Sequence, residues 1–306
     1  MLEKNNLKKE DLKVLKFLSK YKMLKVEDAT LIYHTKRYYR DRVNKLIDKG
    51  YVKRYKSYII LDKNGRKALG EVGQGYIKNI KNEAYMERLK AIASIATLSI
   101  DSNIKFEPSW LIKEKDIFTE TARRYIGKII IDNREYLAYY VSRKKEDVYI
   151  KQLLFDINKS FNYENIIIFV EDLSIICPKY SNFSFGKQNT IVIVNDNTNK
   201  RLINNYSNIN WHEVLEIMYN KELLISDWDK ADYLLDENKY IIEMIFINTE
   251  KIEKLKWYYK ENSDSLKKVE IITIDENKEK IKEMVGDNRC SIKVIDKDWL
   301  GGIFEC

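Results

Sequence analysis

The stretch "HTKRYYRDRVNKLIDKGYVKRYKSYII", His34 to Ile60, decides the reading of the N-terminal quarter: it holds nine Lys and Arg against two acids, Asp41 and Asp48. Tyr39, Val43, Leu46 and Ile47 recur at i, i+4, i+7 and i+8, one face of an α-helix, so their side chains are expected to pack inward. Lys36, Arg37, Arg40, Asp41, Asn44 and Lys45 then face outward, with Tyr38 at the margin. Thr35 can cap the start of this helix, and Gly50 supplies its stop. After Gly50 the residues alternate as two short strands, Tyr51 to Arg54 and Ser57 to Leu61, around a tip near Tyr55 and Lys56.

Two helices are expected upstream. Lys9 to Tyr21 sets Leu12, Val14, Leu15, Phe17 and Leu18 on one broad apolar face, and Val26 to Tyr33 forms a short second helix with Glu27 and Asp28 in its first turn. An isolated basic helix is ordinarily only a solvated face. The order helix, helix, basic helix, basic hairpin is more specific, and predicts a winged helix-turn-helix whose third helix enters a major groove. Lys36, Arg37, Tyr38, Arg40, Asn44 and Lys45 are then the expected groove contacts, with Lys53, Arg54 and Lys56 of the wing on phosphates or in the minor groove.

The segment "DLKVLKFLSKYKMLKVEDATLIYH…YYRDRVNKLIDKGYVKRY…SYIILDKNGRKAL" resembles the winged-helix part of the bacterial replication-relaxation family. The resemblance covers about residues 8 to 70 and rests on "RVNKLIDKGYV" and "YIILDKNGRKAL". It implies a protein of a plasmid, phage or other mobile element that binds double-stranded DNA in replication, conjugative mobilisation or transcription control. It also implies a body of restriction-endonuclease-like appearance.

Charge is unevenly placed. Residues 1 to 75 hold 20 Lys and Arg against 9 Asp and Glu, a net +11, whereas the remaining 231 residues hold 35 against 38, a net −3. This asymmetry suggests a polyanion-binding module on a near-neutral body. With 306 residues, 44% of them hydrophobic, the chain is long enough for two or three modest cores. The start MLEKNNLKKEDLK lacks the apolar run of a signal peptide, and no stretch reaches the length of a membrane span. Cys177, Cys290 and Cys306 and the two histidines have no zinc-like spacing, so a reduced, cytoplasmic setting without cofactor or metal is expected.

Residues 75–100, with Ile77, Ile80, Ala84, Tyr85, Leu89, Ile92 and Ile95 at helical spacing, read as a connecting helix packed on the second domain, or alternatively as a dimerisation helix. Beyond it the chain repeats at a spacing of 104 residues: Asp132-Asn133-Arg134 meets Asp236-Glu237-Asn238, and Asn165 to Asp172 meets Val269 to Glu276. Each half reads as hairpin, helix, strand. The expected division is therefore 1–74, a winged helix; 75–100, a connecting helix; and 101–205 and 206–306, two similar, degenerate restriction-endonuclease-like α/β domains. The fold class is α/β (α+β).

Nucleases of that appearance hold Mg²⁺ with an Asp and a Glu-x-Lys on adjacent strands. The first half offers Leu137-Ala138-Tyr139-Tyr140-Val141, with no acid. The second offers Asp232 and Glu243, but Met244-Ile245 follows the Glu, so the lysine of the motif is missing. A metal-dependent nuclease using Asp232 and Glu243 is thus the alternative to a non-enzymatic scaffold that serves a homodimer or a protein partner. "GEVGQG", Gly70 to Gly75, lacks the strand and Lys-Ser/Thr of a phosphate loop. His212 reads as a helix-start residue, Cys177 as a buried strand-end thiol, and "DWLGGIFEC" as an apolar end tucked into the last domain.

Overall fold

In the computed structural model the described residues are 7–35, 37–70, 82–113, 124–131, 133–143, 147–158, 163–175, 189–206, 209–261, 267–286 and 289–296. Lys36, Ile77, Ile80, Asp132, Cys177 and the terminal "DWLGGIFEC" lie outside them. The chain is mixed α/β and divides into two compact units, residues 1–117 with 126–132 and residues 118–125 with 133–306. No helix among the described residues is long and apolar enough to cross a membrane.

The first unit begins with α1 (Lys9–Tyr21), whose Val14, Leu15, Phe17, Leu18 and Tyr21 are buried at helical spacing. Lys22 then takes a left-handed conformation, φ 74°, and ends the helix. The next residues, read from sequence as a mere connection, form strand β1 (Met23–Lys25). A 3₁₀ turn (Glu27–Ala29) leads into the single-turn helix α2 (Thr30–Tyr33), which stops at His34, φ 55°. Helix α3 (Tyr38–Asp48) follows, with Arg37 rather than Thr35 at its cap and no side-chain cap bond. Gly50, φ +66°, turns the chain out of it.

The hairpin β2 (Val52–Tyr55) and β3 (Tyr58–Leu61) turns at Lys56-Ser57, with Lys56 left-handed at φ 54°. β3 sits in the middle of a three-stranded antiparallel sheet, order β1-β3-β2, with Met23 opposite Ile60 and Val52 opposite Leu61. β1 thus covers the inner edge of the hairpin and satisfies backbone groups that a free edge would expose. Helix α4 (Lys63–Leu69) follows, and a side chain at its Gly65 would place Cβ 2.2 Å from the Tyr51 carbonyl oxygen.

Helix α5 (Glu83–Ala96), capped by the Asn82 side chain accepting from the Tyr85 amide, is the described part of the expected connecting helix. Its Met86, Leu89 and Ala93 pack on Met23 and Ile60 of the small sheet, with Tyr55, Tyr58, Tyr85 and Trp110 closing the cluster. The helix therefore braces the small sheet. Strand β4 (Lys105–Pro108), the short helix α6 (Ser109–Lys113) and strand β5 (Gly127–Ile131) complete the unit. β4 and β5 pair antiparallel, and the Tyr21 hydroxyl donates to the Phe106 carbonyl at 3.0 Å, tying α1 to this hairpin.

The second unit continues from Asn133. In the first half β6 (Arg134–Val141), α7 (Asp147–Asn158) and β7 (Asn165–Val170) form a parallel crossover, extended by β8 (Asn189–Val194) parallel to β7 and by α8 (Asn197–Tyr206). In the second half come α9 (Trp211–Tyr219), β9 (Leu224–Ile225), β10 (Tyr233–Leu235), β11 (Lys239–Glu243), β12 (Ile247–Asn248), α10 (Thr249–Glu261), β13 (Lys268–Ile274), α11 (Asp275–Val285) and β14 (Cys290–Ile295). β9, β10 and β11 are antiparallel, whereas β11, β13 and β14 are parallel, giving the order β14-β13-β11-β10-β9.

The register matches the 104-residue period. Tyr136 pairs with Asn165, and Tyr240, 104 residues on, pairs with Val269, also 104 on. Before each of these strands an equivalent residue has positive φ: Asn133 at 62° and Glu237 at 57°. The strand pairing thus keeps the 104-residue spacing at this place in both halves. The second half's β11, β13 and β14 form a separate sheet, but its short β12 adds antiparallel to β8 of the first half, with Ile247 opposite Val192.

Candidate functional site

The exposed surface of α3 and the β2–β3 hairpin carries the expected contact residues. Tyr39, Val43 and Leu46 are buried as the periodicity requires, and Ile47 is half-buried. Arg37, Tyr38, Arg40, Asn44 and Lys45 are exposed on the helix; Arg54 and Lys56 are exposed on the hairpin, and Lys53 is half-buried. Only Lys49, Gly50 and Tyr51 separate α3 from β2, and the Tyr51 amide donates to the Leu46 carbonyl at 2.9 Å. Helix and hairpin are thereby fixed as neighbours. Lys36 remains outside the described residues.

Sequence reasoning missed Arg42. It stands three residues after Tyr39 and four before Leu46, so helical spacing puts it in the inward stripe, and it is 9% exposed. Its Nε donates to Asp11 Oδ1 at 3.2 Å and its Nη2 to Asp11 Oδ2, a bidentate pair. Asp11 is 0% exposed and accepts two further bonds, from the Tyr33 hydroxyl at 2.7 Å and the Lys8 amide at 2.8 Å. One carboxylate on α1 thus fixes α2 and α3. Burial, with the neighbouring Asp11 carboxylate, holds the Tyr33 hydroxyl far above its ordinary range. At the helix start the Lys8 ammonium lies 2.5 Å from the Tyr38 hydroxyl, and Arg40 Nε donates to the Tyr39 hydroxyl at 3.1 Å.

In the second unit Asp232 and Glu243 converge, and a lysine reaches them after all. Lys251, from α10, lies 2.8 and 2.7 Å from the two Asp232 oxygens and 3.0 Å from the Glu243 carbonyl. No sequence signal pointed to it, because Lys251 follows Glu243 by eight residues and comes from a helix rather than from the strand. Asp232 Oδ2 also accepts from the Glu243 amide at 2.7 Å. The Glu243 carboxylate is engaged on both oxygens, by the Ile245 amide at 2.7 Å and the Tyr206 hydroxyl at 2.6 Å. These bonds satisfy the acids within the protein. Among the described residues no group of three or more His, Cys, Asp or Glu is arranged to hold a metal.

Burial pushes the Glu243 carboxyl above its ordinary value of 4.5, against the attraction of Lys251. An acid raised on folding favours the protonated native state, so this group adds stability as pH falls through its folded value toward 4.5. Glu243→Gln fixes the neutral form. The variant is expected to match or exceed the parent at pH 7, with that advantage narrowing toward pH 4. Parallel thermal unfolding of the two proteins across this range reads the difference.

Other candidates have structural partners. His212, second residue of α9, makes a 3.2 Å contact from Nε2 to the Leu223 carbonyl oxygen, and its Nδ1 lies 3.6 Å from Glu216. The Cys290 thiol on β14 is half-buried and donates to the Ser291 carbonyl at 3.5 Å. No protein-family model, curated protein or solved structure matches this chain.

Proposed function

We propose that residues 1–74 form a winged helix-turn-helix that binds double-stranded DNA site-specifically, in replication, conjugative mobilisation or transcription control of a plasmid, phage or other mobile element. The replication-relaxation resemblance supplies that setting. The observation that carries the reading is the exposed row of Arg37, Arg40, Asn44 and Lys45 on a helix anchored from behind by the buried Asp11–Arg42 pair. Such a helix presents cations and an amide to base edges, and Arg54 and Lys56 of the hairpin supply phosphate contacts. The two repeats, degenerate and restriction-endonuclease-like in this reading, serve as a non-enzymatic scaffold for a second copy of the chain or another protein.

Arg37→Ala or Arg40→Ala should weaken binding to the preferred site by about 1 to 3 kcal/mol, whereas Lys56→Ala should weaken all sequences alike and lower the salt slope by about one. Mobility shifts of plasmid fragments over a salt series measure both. If both Arg variants bind as tightly as the parent, the assignment of α3 fails.

A second reading has one observation behind it. Asp232, Glu243 and Lys251 together are the residue types of a metal-dependent nuclease. Against it, Lys251 already neutralises Asp232, and both Glu243 oxygens are occupied. Cleavage of supercoiled plasmid with Mg²⁺ or Mn²⁺, lost in Glu243→Gln, would establish it over the scaffold.

A further inference from the structure

We propose that Asp41 discriminates bases in the DNA site, its carboxylate accepting a hydrogen bond from the exocyclic N4 amine of a cytosine in the major groove. This rests on the DNA-binding reading above. At about 100° per residue, Asp41 lies opposite the buried stripe of Tyr39, Val43 and Leu46, in the outermost row with Arg37, Asn44 and Asp48. It is exposed, and among the described residues it has no ion-pair or hydrogen-bond partner. Yet Lys45 follows by four, the spacing and order that favour an acid–base pair on a helix, and Arg37 precedes by four.

A carboxylate at the centre of a basic face, without a partner among the described residues, works against phosphate binding, since like charge repels the polyanion. Phosphate affinity therefore gives no account of it. A major groove offers a carboxylate two amine donors, cytosine N4 and adenine N6. Adenine sets its N7 acceptor beside the amine, which repels a carboxylate, whereas cytosine presents the amine without such a neighbour on its own edge. The arrangement thus favours cytosine opposite the first turns of α3. An acid near a helix N-terminus also complements the helix dipole. That role affects stability and leaves base preference unchanged.

Selection of bound duplexes from a random library separates these accounts, using full-length parent, Asp41→Ala and Asp41→Asn. The parent should recover cytosine at one position, and Asp41→Ala should lose that preference by about five- to tenfold. The same variant should bind random-sequence duplex more tightly, because a repulsive charge is gone. Asp41→Asn should move the preference toward adenine, which an amide matches at N6 and N7. Pyrimidin-2-one, which lacks the amine, in place of the selected cytosine should cost the parent the same factor and leave Asp41→Ala indifferent. Retained cytosine preference in Asp41→Ala overturns the inference while DNA binding stands. A parent that binds no duplex, or selects no sequence, overturns the inference together with the DNA reading.

Discussion

Asp11→Ala is expected to destabilise the N-terminal unit by about 3 to 5 kcal/mol, the range for removing one partner of a buried ion pair. The carboxylate is fully buried and satisfies four donors from three elements: the Lys8 amide, the Tyr33 hydroxyl and two guanidinium nitrogens of Arg42. Truncation leaves the Arg42 charge, 9% exposed, without its counter-ion and leaves the Tyr33 hydroxyl without its acceptor. Both losses carry the desolvation cost of a buried polar group. Amide hydrogen exchange along α1 and α3 reads the effect locally, so unfolding of the second unit does not obscure it.

The double replacement Asp11→Leu with Arg42→Met is the informative control. Exchanging a whole buried pair for apolar side chains of similar volume is often close to neutral, so the double variant should be markedly more stable than Asp11→Ala. If Asp11→Ala unfolds no more readily than the parent, the pair does not hold the helices. On the DNA-binding reading, the same variant should lose affinity beyond its loss of folded protein, because α3 would no longer be held in one orientation.

What the sequence made legible follows a physical pattern. Features set by local periodicity were readable: the inward Tyr39, Val43 and Leu46, the stop at Gly50, and the turn after Tyr55. The spacing of 104 residues was readable too, and the Tyr136–Asn165 and Tyr240–Val269 pairs keep it. Long-range features were not. β1 is three residues long and exists because β3 pairs with it; nothing in Met23-Leu24-Lys25 alone distinguishes a strand from a loop. Arg42 was assigned to neither face, because its acid lies 31 residues away. The packing of α5 on Met23 and Ile60 depends likewise on residues distant in sequence.

Lys251→Met is expected to cost the second unit roughly 2 to 4 kcal/mol, somewhat below the full range for a broken buried pair. The discount comes from partial exposure: the side chains of Lys251 and Asp232 are 20% and 32% exposed, so water can reach the abandoned carboxylate. The loss is still large because one ammonium serves three oxygens, two of Asp232 and the Glu243 carbonyl, and so joins α10 to the end of β11. Among the described residues, Asp232 would then keep the Glu243 amide as its one donor. Hydrogen exchange at β11 and α10 should show faster opening there, and Glu243→Gln should not. The contrast bears on function as well as stability. If the cluster is a scaffold joint, Lys251→Met weakens this unit and leaves DNA affinity at α3 unchanged. If it is a nuclease centre, the parent cleaves plasmid with Mg²⁺, and both Lys251→Met and Glu243→Gln abolish cleavage although only the first is unstable. A structural joint responds to the loss of a bond; a catalytic centre also responds to the loss of a charge that stability does not need.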